Sequence, residues 1–537
     1  MKKTILISIF SIFLLMILPA FNSTVIINVE DSEVQINSSL STSGTEKIYW
    51  QDNGTVIVNK EDNYEWGYKL CSDGKGGAII AWYDDREILP NTNIYAQRID
   101  SNGIKLWGKN GMVICNNTGR QGDPNLPTEE LDICSDGNGG AIIVWRDQRR
   151  DEGVFDGDIY AQRVDLNGNT LWTDNGTVIC NSTGEQRYPK LCSDGNNGAI
   201  ITWQHTRTTG DEDIHAQYIN STGVKQWGAI NDYNGTVICN INTGDQEFPR
   251  ICSDGKKGAI ITWRDKRNTE SYFNIYAQRI NWTGLTDWID NGTVICNEKN
   301  DQGGGATGSN PPEFSICSDE NGGAVITWRD EREGTADNYA SIYTQKINST
   351  GNTKWAKNGT VICNITQSEQ RFPQICSDNN GGAIITWESL GEMDYEIYAQ
   401  RINSNGDSQW IKNGTIICNE KSGQRYPQIC IDGKGGAIIT WDDFRNAPTS
   451  YDIYAQLINS NGQTQWNRNG TLLCNYGTLE QTAPQICTDL NGGAIIIWRD
   501  NREDASGDVY AQRIGTPITK SGTSESSDDD DDDEVVR

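Results

Sequence analysis

The feature that most constrains the fold is a repeated unit whose copies follow one another along nearly the whole chain. Each of its eight copies carries a run similar to GGAIITW, and the tryptophans that close these runs lie 54 to 65 residues apart. This period is longer than that of helical solenoids and comparable to, or slightly above, that of propeller repeats. No part of the unit shows the 3.6-residue periodicity of a helix. The sequence therefore predicts an all-β repeat protein. The tryptophans concerned are Trp82, Trp145, Trp203, Trp263, Trp328, Trp387, Trp441 and Trp498.

Turn signals divide each unit into four strands. In the copy at residues 358–401, a short strand at 373–377 ends in an Asn-Gly-Gly cluster suited to a tight hairpin. The next run, 383–387, is continuously apolar, which indicates burial on both faces. A third strand at 397–402 follows, and the GTIIC run at 414–418 belongs to the fourth. Four antiparallel strands, buried on both faces by neighbouring copies, are typical of a propeller blade.

The two ends of the repeat array are out of phase, and this predicts how the array closes. Residues 50–58 match only the fourth strand of the unit, whereas residues 509–514 end the array after the third strand. An N-terminal strand that completes the last blade would remove the exposed edge of an open array. We therefore predict a closed eight-bladed β-propeller of four-stranded antiparallel blades. An open solenoid and two smaller rings are the alternatives.

The segments outside the repeats have distinct compositions. Residues 1–22 begin with two lysines before an apolar run and are predicted to be a secretory signal peptide, with an uncleaved membrane anchor as the alternative. Residues 23–46 form a predicted polar linker before the propeller at 47–514. Residues 515–537 contain an unbroken acidic run and are predicted to be a disordered tail. This tail is either a solvated spacer or a segment that binds cations or a partner.

The charge of the chain limits its partners. The formal net charge is −28, which repels phosphate backbones and anionic headgroups, so nucleic acid is excluded as an expected partner. An acidic surface fits a secreted or cell-surface protein, and we expect a monomeric ring. No cofactor is predicted, with a structural cation such as calcium as the alternative. Asn-Gly-Thr sequons recur in the repeats because the turn favours Asn-Gly, and an exported chain could be glycosylated there.

The turn between the third and fourth strands carries a recognisable motif. It reads D-S-N-G-x-x-x-W at 100–107, D-L-N-G-x-x-x-W at 165–172 and N-S-N-G-x-x-x-W at 459–466. With the preceding DIYAQR strand, it resembles the Asp-box (BNR) repeat of sialidase-like propellers over about 465 residues. The spacing from Gly to Trp is one residue longer than in the usual box, and five of the seven complete boxes begin with Asn. The resemblance is thus to the repeat architecture, and it implies a structural role for the box, for which Asp and Asn are suited because they bond to their own backbone.

A second motif, W-x-D-x-R, follows the second strand in six copies. Asp and Arg at positions i and i+2 of an extended segment project to the same side and can form an ion pair. The resemblance to sialidases offers an alternative, an arginine cluster that binds a carboxylate. Because one pair recurs around a ring, we predict a structural role for all of them. The pairs are Asp84/Arg86, Asp147/Arg149, Asp265/Arg267, Asp330/Arg332, Asp443/Arg445 and Asp500/Arg502.

No catalytic set is predicted. Sialidase chemistry would need a Tyr nucleophile with a Glu partner and an Asp acid/base at positions that are not repeated, and the tyrosines of the IYAQ strand are repeated. His205 and His215 are the two histidines of the chain and fall in one irregular copy. They are interpreted as incidental replacements, with metal coordination as the alternative; no metal site is predicted.

The fifteen cysteines follow the repeat. Eight lie in first strands and seven end fourth strands, and Val58 stands at the sixteenth position. Export permits disulfides, which would leave either Cys71 or Cys487 free according to the register. Buried thiols are the other possibility, because the first strand is expected to be innermost and the fourth outermost.

Function is expected where the copies differ. The connections between second and third strands vary, and the longest insertions between blades are 116–131 and 300–314. Variable loops on a rigid scaffold are where recognition usually takes place. Two hypotheses follow: a binding protein for a protein or glycan, or a secreted sialidase-like glycoside hydrolase or lyase. A hydrolase should bring two or three carboxylates, unpaired by arginine, to the central channel. The aromatic candidates for ligand contact are Trp66, Phe155, Tyr272, Phe273, Tyr395 and Tyr451.

Overall fold

The computed structural model divides into two compact units, residues 1–45 and 46–537. In the first unit, Ile26–Glu30 and Glu33–Asn37 pair as an antiparallel hairpin, where the sequence predicted a linker. The predicted signal peptide and residues 516–537 of the predicted tail lie outside the described residues. The structure describes residues 26–30, 33–37, 46–59, 64–86, 92–122, 129–150, 157–207, 211–228, 235–268, 272–304, 312–333, 339–365, 367–391, 394–446, 450–477, 479–503 and 507–515.

The second unit is the predicted eight-bladed β-propeller, in which each blade is an antiparallel sheet; in blades 1 to 7 the strands lie in sequence order. The first strands are Glu65–Ser72, Leu131–Ser135, Gln186–Ser193, Gln246–Ser253, Phe314–Ser318, Gln370–Ser377, Gln424–Ile431 and Gln481–Thr488. The second strands are Ala78–Asp84, Ala141–Asp147, Ala199–Thr206, Ala259–Asp265, Ala324–Asp330, Ala383–Leu390, Ala437–Asp443 and Gly493–Asp500. The third strands are Asn93–Ile99, Asp158–Val164, Glu212–Ile219, Asn274–Ile280, Ser341–Ile347, Tyr395–Ile402, Asp452–Ile458 and Asp508–Gly515. The fourth strands of blades 1 to 7 are Met112–Cys115, Thr177–Cys180, Thr236–Cys239, Thr293–Cys296, Thr360–Cys363, Thr415–Cys418 and Thr471–Cys474.

The first strands adjoin one another around the ring, so they line the central channel and the fourth strands form the outer edge. The second strands are the most deeply buried elements: every residue of Ala78–Asp84 and of Ala141–Asp147 is buried. The tryptophan near the end of each second strand is fully buried against its neighbours. This burial on both faces confirms what the continuous apolar runs predicted.

The N-terminal strand closes the ring, as the phase mismatch predicted. Thr55–Val58 pairs with Asp508–Gly515 as the fourth strand of blade 8. Lys47–Ile48 pairs with the end of the same strand. Trp50 Nε1 donates to the Ser101 carbonyl at 3.1 Å, the contact that Trp107 makes with Leu166 in the next blade. The seam therefore contains the same contacts as the joints between the other blades.

Aspartate and asparagine side chains brace the tight turns of each blade. Asp73 Oδ1 accepts the N–H groups of Lys75 and Gly77 at 2.8 Å, while its Oδ2 pairs with Arg98 of the third strand at 2.8 Å. At the turn between the third and fourth strands, Asp100 Oδ1 accepts the N–H of Ile104 at 2.9 Å. Asn220 makes the equivalent bonds where a copy begins with Asn. These contacts explain why Asp and Asn interchange at the motif.

The W-x-D-x-R motif forms one repeated network of contacts within a blade. In blade 7, Asp443 accepts the indole N–H of Trp441 at 2.8 Å and pairs with Arg445. The Arg445 guanidinium lies 3.9 Å from the centre of the Tyr454 ring and also donates to the carbonyl of Asn469 at 2.7 Å. The equivalent ion pair is present in the five other copies of the motif, so all six arginines are engaged inside the ring.

The cysteines form two separate sets. Cys71, at the inner edge, has Cys134 and Cys487 of the adjacent blades as neighbours. At the outer edge, Cys239 Sγ lies 3.1 Å from Arg267 Nη2 of the next blade. Three strand spacings of about 4.8 Å separate the two edges of a blade, which exceeds the Cα separation of about 7 Å that a disulfide spans. All fifteen cysteines are free thiols, so neither disulfide register that the sequence left open is present.

Among the described residues, no helix is long and apolar enough to cross a membrane.

We predict that the closing strand is required for the stability of the ring. Deleting residues 1–59 removes Thr55–Val58 and leaves Asp508–Gly515 as an unpaired edge. Loss of the buried Ile57 and Val58 side chains alone should cost about 3–6 kcal/mol in the free energy of unfolding. Deleting residues 1–45 is the matched control, because it spares every strand of the ring. Thermal unfolding should show a lower midpoint for the longer deletion alone; equal midpoints would contradict ring closure by this strand.

Candidate binding face at the channel mouth

The direction of the strands places all variable segments on one face of the ring. The Asp-Gly turns and the Ser-Asn-Gly turns share the opposite face, because strands within a blade are antiparallel. The starts of the first strands therefore lie with the variable connections. Since the first strands are innermost, their starts surround the mouth of the central channel. We call this side the variable face.

Aromatic residues with a left-handed backbone conformation lie at the starts of four first strands. The φ angles are 54° for Tyr188, 53° for Phe248, 50° for Phe372 and 52° for Tyr426. Each lies at a bulge, where the register with the second strand shifts. A positive φ is a genuine outlier for a bulky residue, and such strain persists only where surrounding contacts fix it. The backbone at the channel mouth is therefore held in a costly conformation.

At Phe248, Tyr426 and the left-handed Ala483 of blade 8, this conformation is fixed by the residue after the second-strand tryptophan of the preceding blade. Glu388 Oε2 accepts the N–H of Tyr426 at 3.0 Å. Gln204 Oε1 accepts the N–H of Phe248 at 3.1 Å, and Asp442 Oδ2 accepts the N–H of Ala483 at 3.3 Å. This residue is the x of the W-x-D-x-R motif or its equivalent. It differs between blades: Tyr83, Arg146, Gln204, Arg264, Arg329, Glu388, Asp442 and Arg499.

The most exposed aromatic groups at the mouth lie on blades 6 and 7. The Phe372 and Tyr426 rings are 4.9 Å apart, and the Tyr426 side chain is 44% exposed. The half-buried Tyr395 ring has the Arg371 guanidinium at 5.5 Å and the Arg425 guanidinium at 5.2 Å. We call Phe372, Tyr395 and Tyr426 the aromatic platform. The equivalent pair of blades 3 and 4, Tyr188 and Phe248, is buried.

Two carboxyl groups beside the platform have raised pKa values. Burial raises the pKa of Glu388 to about 7, opposed by its bond with the Tyr426 backbone and by Arg425. Burial also raises the pKa of Asp442 well above its ordinary value, with a smaller contribution from Glu388. Within the described part of the chain, neither carboxylate has a Lys or Arg nitrogen within 4 Å. These two residues therefore meet one part of what a hydrolase was expected to show, carboxylates that are not paired with arginine, but both are buried.

A group of positively charged side chains lies inside the channel, on blades other than those that carry the platform. Lys69, Lys190 and Arg250 come from the first strands of blades 1, 3 and 4, and all three interact with Glu129. Glu129 Oε2 lies 2.8 Å from Lys190 Nζ and 3.1 Å from Arg250 Nη1. Burial alone would raise the pKa of Glu129, but the three cations lower it to about 2. We call Lys69, Lys190 and Arg250 the axial cation cluster.

Two of the aromatic candidates from the sequence are core residues rather than exposed groups. Trp66 is 4% exposed and stacks on Tyr83 at 4.1 Å, beneath Gly122 of the 116–131 insertion. Phe273 is buried between Arg264 and Lys266, and its N–H donates to Asp301 in the other long insertion. Contacts with the insertions cover both rings, so neither is open to a ligand as the sequence analysis expected.

The other candidates have different positions. Tyr395 belongs to the aromatic platform, and its hydroxyl donates to Glu369 at 3.0 Å. Tyr451 is half-buried against Phe444. Burial raises its pKa, and the nearby Arg425 and Asp442 act on it in opposite directions. Tyr272 is half-buried. Phe155 lies outside the described residues. The structure thus brings Tyr395 and Tyr451 to the same part of the variable face, near Arg425.

The two histidines replace the Asp and the Tyr of the repeated contact in blade 3. Their rings are 5.0 Å apart, and burial, with a smaller contribution from His215, lowers the pKa of His205 to about 4. His205 is therefore neutral at pH 7. Over the described ranges, no group of three or more His, Cys, Asp or Glu side chains has the arrangement of a metal site.

The described residues also form a shallow pocket at the outer edge of blade 6. It is lined by Ile365, Tyr398 and residues 411–416. These are repeated positions that occur in the other blades too, so the pocket does not distinguish this blade as a functional site.

Comparisons with known proteins find likenesses among solved structures alone. No protein-family model matches the sequence, and no match is found among curated proteins. Solved structures that resemble the chain include the polysaccharide lyase Uly1, with 8% identity, a TM-score of 0.45, and coverage of 87% of this chain and 100% of that chain. A protein of unknown function from Dyadobacter fermentans has 9% identity, a TM-score of 0.39, and coverage of 87% and 99%. The α-L-arabinofuranosidase Arb93A from Fusarium graminearum has 9% identity, a TM-score of 0.32, and coverage of 62% and 93%. All three TM-scores lie below 0.5, so none of these likenesses bears on the function of this chain.

We predict that Glu388 makes stability depend on pH. Because its folded pKa of about 7 lies above the unfolded value of 4.5, the stability it contributes is fully present below pH 4.5 and is lost as the pH rises through about 7. Glu388→Gln removes this titration while keeping an oxygen for the Tyr426 N–H. The variant should gain on the order of 3 kcal/mol relative to wild type between pH 4 and pH 8.5.

Urea unfolding at the two pH values measures this difference. Glu320→Gln, on an exposed turn of the opposite face, is the matched control. A difference between Glu388→Gln and wild type that does not change with pH would show that the carboxyl group is not buried as described.

Proposed function

We propose that this protein is an exported or cell-surface propeller that binds a glycan at the channel mouth of its variable face. The observation that carries the proposal is the aromatic platform, whose three rings are partly open to solvent. A strained backbone holds two of them, Phe372 and Tyr426. The N-terminal segment with the composition of a signal peptide supports export.

The chemistry of the platform suits a sugar. Aromatic faces stack on the C–H faces of pyranose rings, and nearby planar polar groups bond to the hydroxyls. Arg371, Arg425 and Glu369 surround Tyr395 and supply such groups. The site lies at the mouth of a channel, a concave shape that admits a narrow chain more readily than the broad surface of a folded partner. A glycan is therefore the better-supported ligand of the two considered.

The position of the carboxyl groups favours binding over catalysis. Glu388 and Asp442 each accept a backbone N–H of the next blade, and Gln204 makes the same bond with an amide. Glu313 also accepts the N–H of Phe372 at 2.9 Å. The bond from the residue after the tryptophan thus recurs in three blades with three different side chains, and Glu313 makes a similar bond from the start of a first strand. Holding the bulge accounts for these contacts.

A sialidase-like hydrolase or lyase is the second candidate. It is favoured by the raised pKa of Glu388 and Asp442 and by their distance from Lys and Arg side chains. A carboxyl group with a pKa near 7 can act as a general acid at neutral pH.

Calorimetric titration with glycans selected on an array tests the proposal. Tyr426→Ala should weaken binding about tenfold, since one stacking ring contributes roughly 1–2 kcal/mol. Trp282→Ala is the control, because Trp282 is 63% exposed on a turn of the opposite face. The bound glycan should remain intact on prolonged incubation. Release of reducing sugar that is lost in Glu388→Gln would instead establish the hydrolase, and equal effects of the two aromatic substitutions would remove the channel mouth as the binding site.

A further inference from the structure

One position of the first strand varies between blades although its neighbours repeat. It lies two residues before the first-strand cysteine, on the innermost strand. Blades 6, 7 and 8 have glutamine there, whereas blades 1, 3 and 4 have a cation. In chain order the residues are Lys69, Asp132, Lys190, Arg250, Ser315, Gln374, Gln428 and Gln485. A chain with a net charge of −28 thus places three cations at one level of its channel.

These cations are incompletely neutralised. Glu129 pairs with Lys190 and Arg250, and Asp132 Oδ2 accepts the N–H of Leu191 at 3.2 Å. In the described residues, the Lys69 ammonium has no carboxylate within 4 Å, and its nearest recorded partner is Gln485 Oε1 at 3.4 Å. Burial, with repulsion from Lys190 and Arg250, lowers the pKa of Lys69, although Glu129 opposes this. Three cations and two carboxylates leave an excess of positive charge at this level of the channel, which favours an anionic ligand over a neutral one.

Glu129 shows which anion the cluster accommodates. It is not a repeated residue, since it belongs to the 116–131 insertion. It lies two residues before the first strand of blade 2. Its two oxygens face the guanidinium of Arg250, with Oε2 3.1 Å from Nη1 and Oε1 3.3 Å from Nη2. This is the two-point contact of a planar carboxylate with a guanidinium. A planar carboxylate matches it better than a tetrahedral sulfate.

The cluster and the aromatic platform face the same channel. Gln374 and Gln428, at the level of the cluster, follow Phe372 and Tyr426 by two residues in their strands. A chain of sugars stacked on the platform would therefore extend toward Lys69, Lys190 and Arg250.

We propose that the glycan bound at the channel mouth is acidic, and that the axial cation cluster binds a uronate carboxylate of this glycan in the place that Glu129 occupies. The inference rests on the proposed function. Glu129 then acts as an internal competitor that the ligand displaces.

The test compares an oligogalacturonate hexasaccharide, maltohexaose and dextran sulfate oligosaccharides by calorimetric titration of the full ring. Lys190→Gln and Arg250→Gln should each weaken oligogalacturonate binding about tenfold, a loss of roughly 1.4 kcal/mol. Glu129→Gln should strengthen it by a similar factor. Lys434→Gln, on an exposed turn of the opposite face, is the matched control. Thermal unfolding of each variant shows whether it remains folded. If Arg250→Gln does not fold, Lys69→Gln replaces it as a variant of the cluster.

The outcomes separate the two proposals. Tighter binding of oligogalacturonate than of maltohexaose, weakened by the cluster variants, supports the inference. Equal binding of the acidic and neutral oligosaccharides, unaffected by the cluster variants but lost in Tyr426→Ala, overturns the acidic ligand and leaves the glycan proposal standing. Tighter binding of dextran sulfate overturns the assignment of a carboxylate. Absence of glycan binding in wild type overturns both.

Discussion

The structure depends on the burial of each second strand between two neighbouring blades. Every residue of Ala78–Asp84 is buried, and so is every residue of Ala437–Asp443. A single blade has no means of covering both faces of such a strand, because burying one face against a neighbour leaves the other in water. The fold therefore requires a closed ring, and the ring requires a strand from the N-terminus. The pairing of Thr55–Val58 with Asp508–Gly515 meets this requirement.

The same constraint explains why most conspicuous residues of the repeat are structural. The Trp, Asp and Arg of the W-x-D-x-R motif contact one another, and in five copies the Arg also contacts the fourth-strand cysteine of the preceding blade. The glycine of the Asn-Gly-Thr turn lies against the tryptophan. A Cβ on Gly470 would lie 2.5 Å from the Trp441 ring. Residues in such contacts cannot vary without disturbing a joint between blades. Diversity is left to positions that face the channel, where Glu388, Asp442, Lys190 and Tyr426 are found.

The sequence predicted the ring because ring closure can be recognised in the repeat array itself. The last copy lacks its fourth strand, and the chain has an extra fourth strand before the first copy. It predicted the role of Asp443 and Arg445 because their pattern repeats. It did not predict the burial of Trp66, which depends on Tyr83 beneath it and on an insertion folding over it. Burial of this kind depends on residues far away in the sequence, so the residues around Trp66 do not indicate it.

The site at the channel mouth was missed for a different reason. Its residues occupy positions that differ between the copies although the neighbouring positions repeat. One is the x of W-x-D, and the other lies two residues before the first-strand cysteine. Comparing the eight copies column by column would have shown Glu388 and Asp442 in one such column and Lys69, Lys190 and Arg250 in the other. The positive φ of Tyr426 has no signature beyond the proline that follows it.

The repeated residues hold the ring, and we propose that the variable inner residues bind the ligand. A crystal structure of the protein soaked with an oligogalacturonate would test this proposal. We expect a sugar ring over Tyr426 and a carboxylate within hydrogen-bond distance of Arg250, with Glu129 displaced. An oligosaccharide bound on the face of the Asp-Gly turns, or along the outer fourth strands, would contradict it.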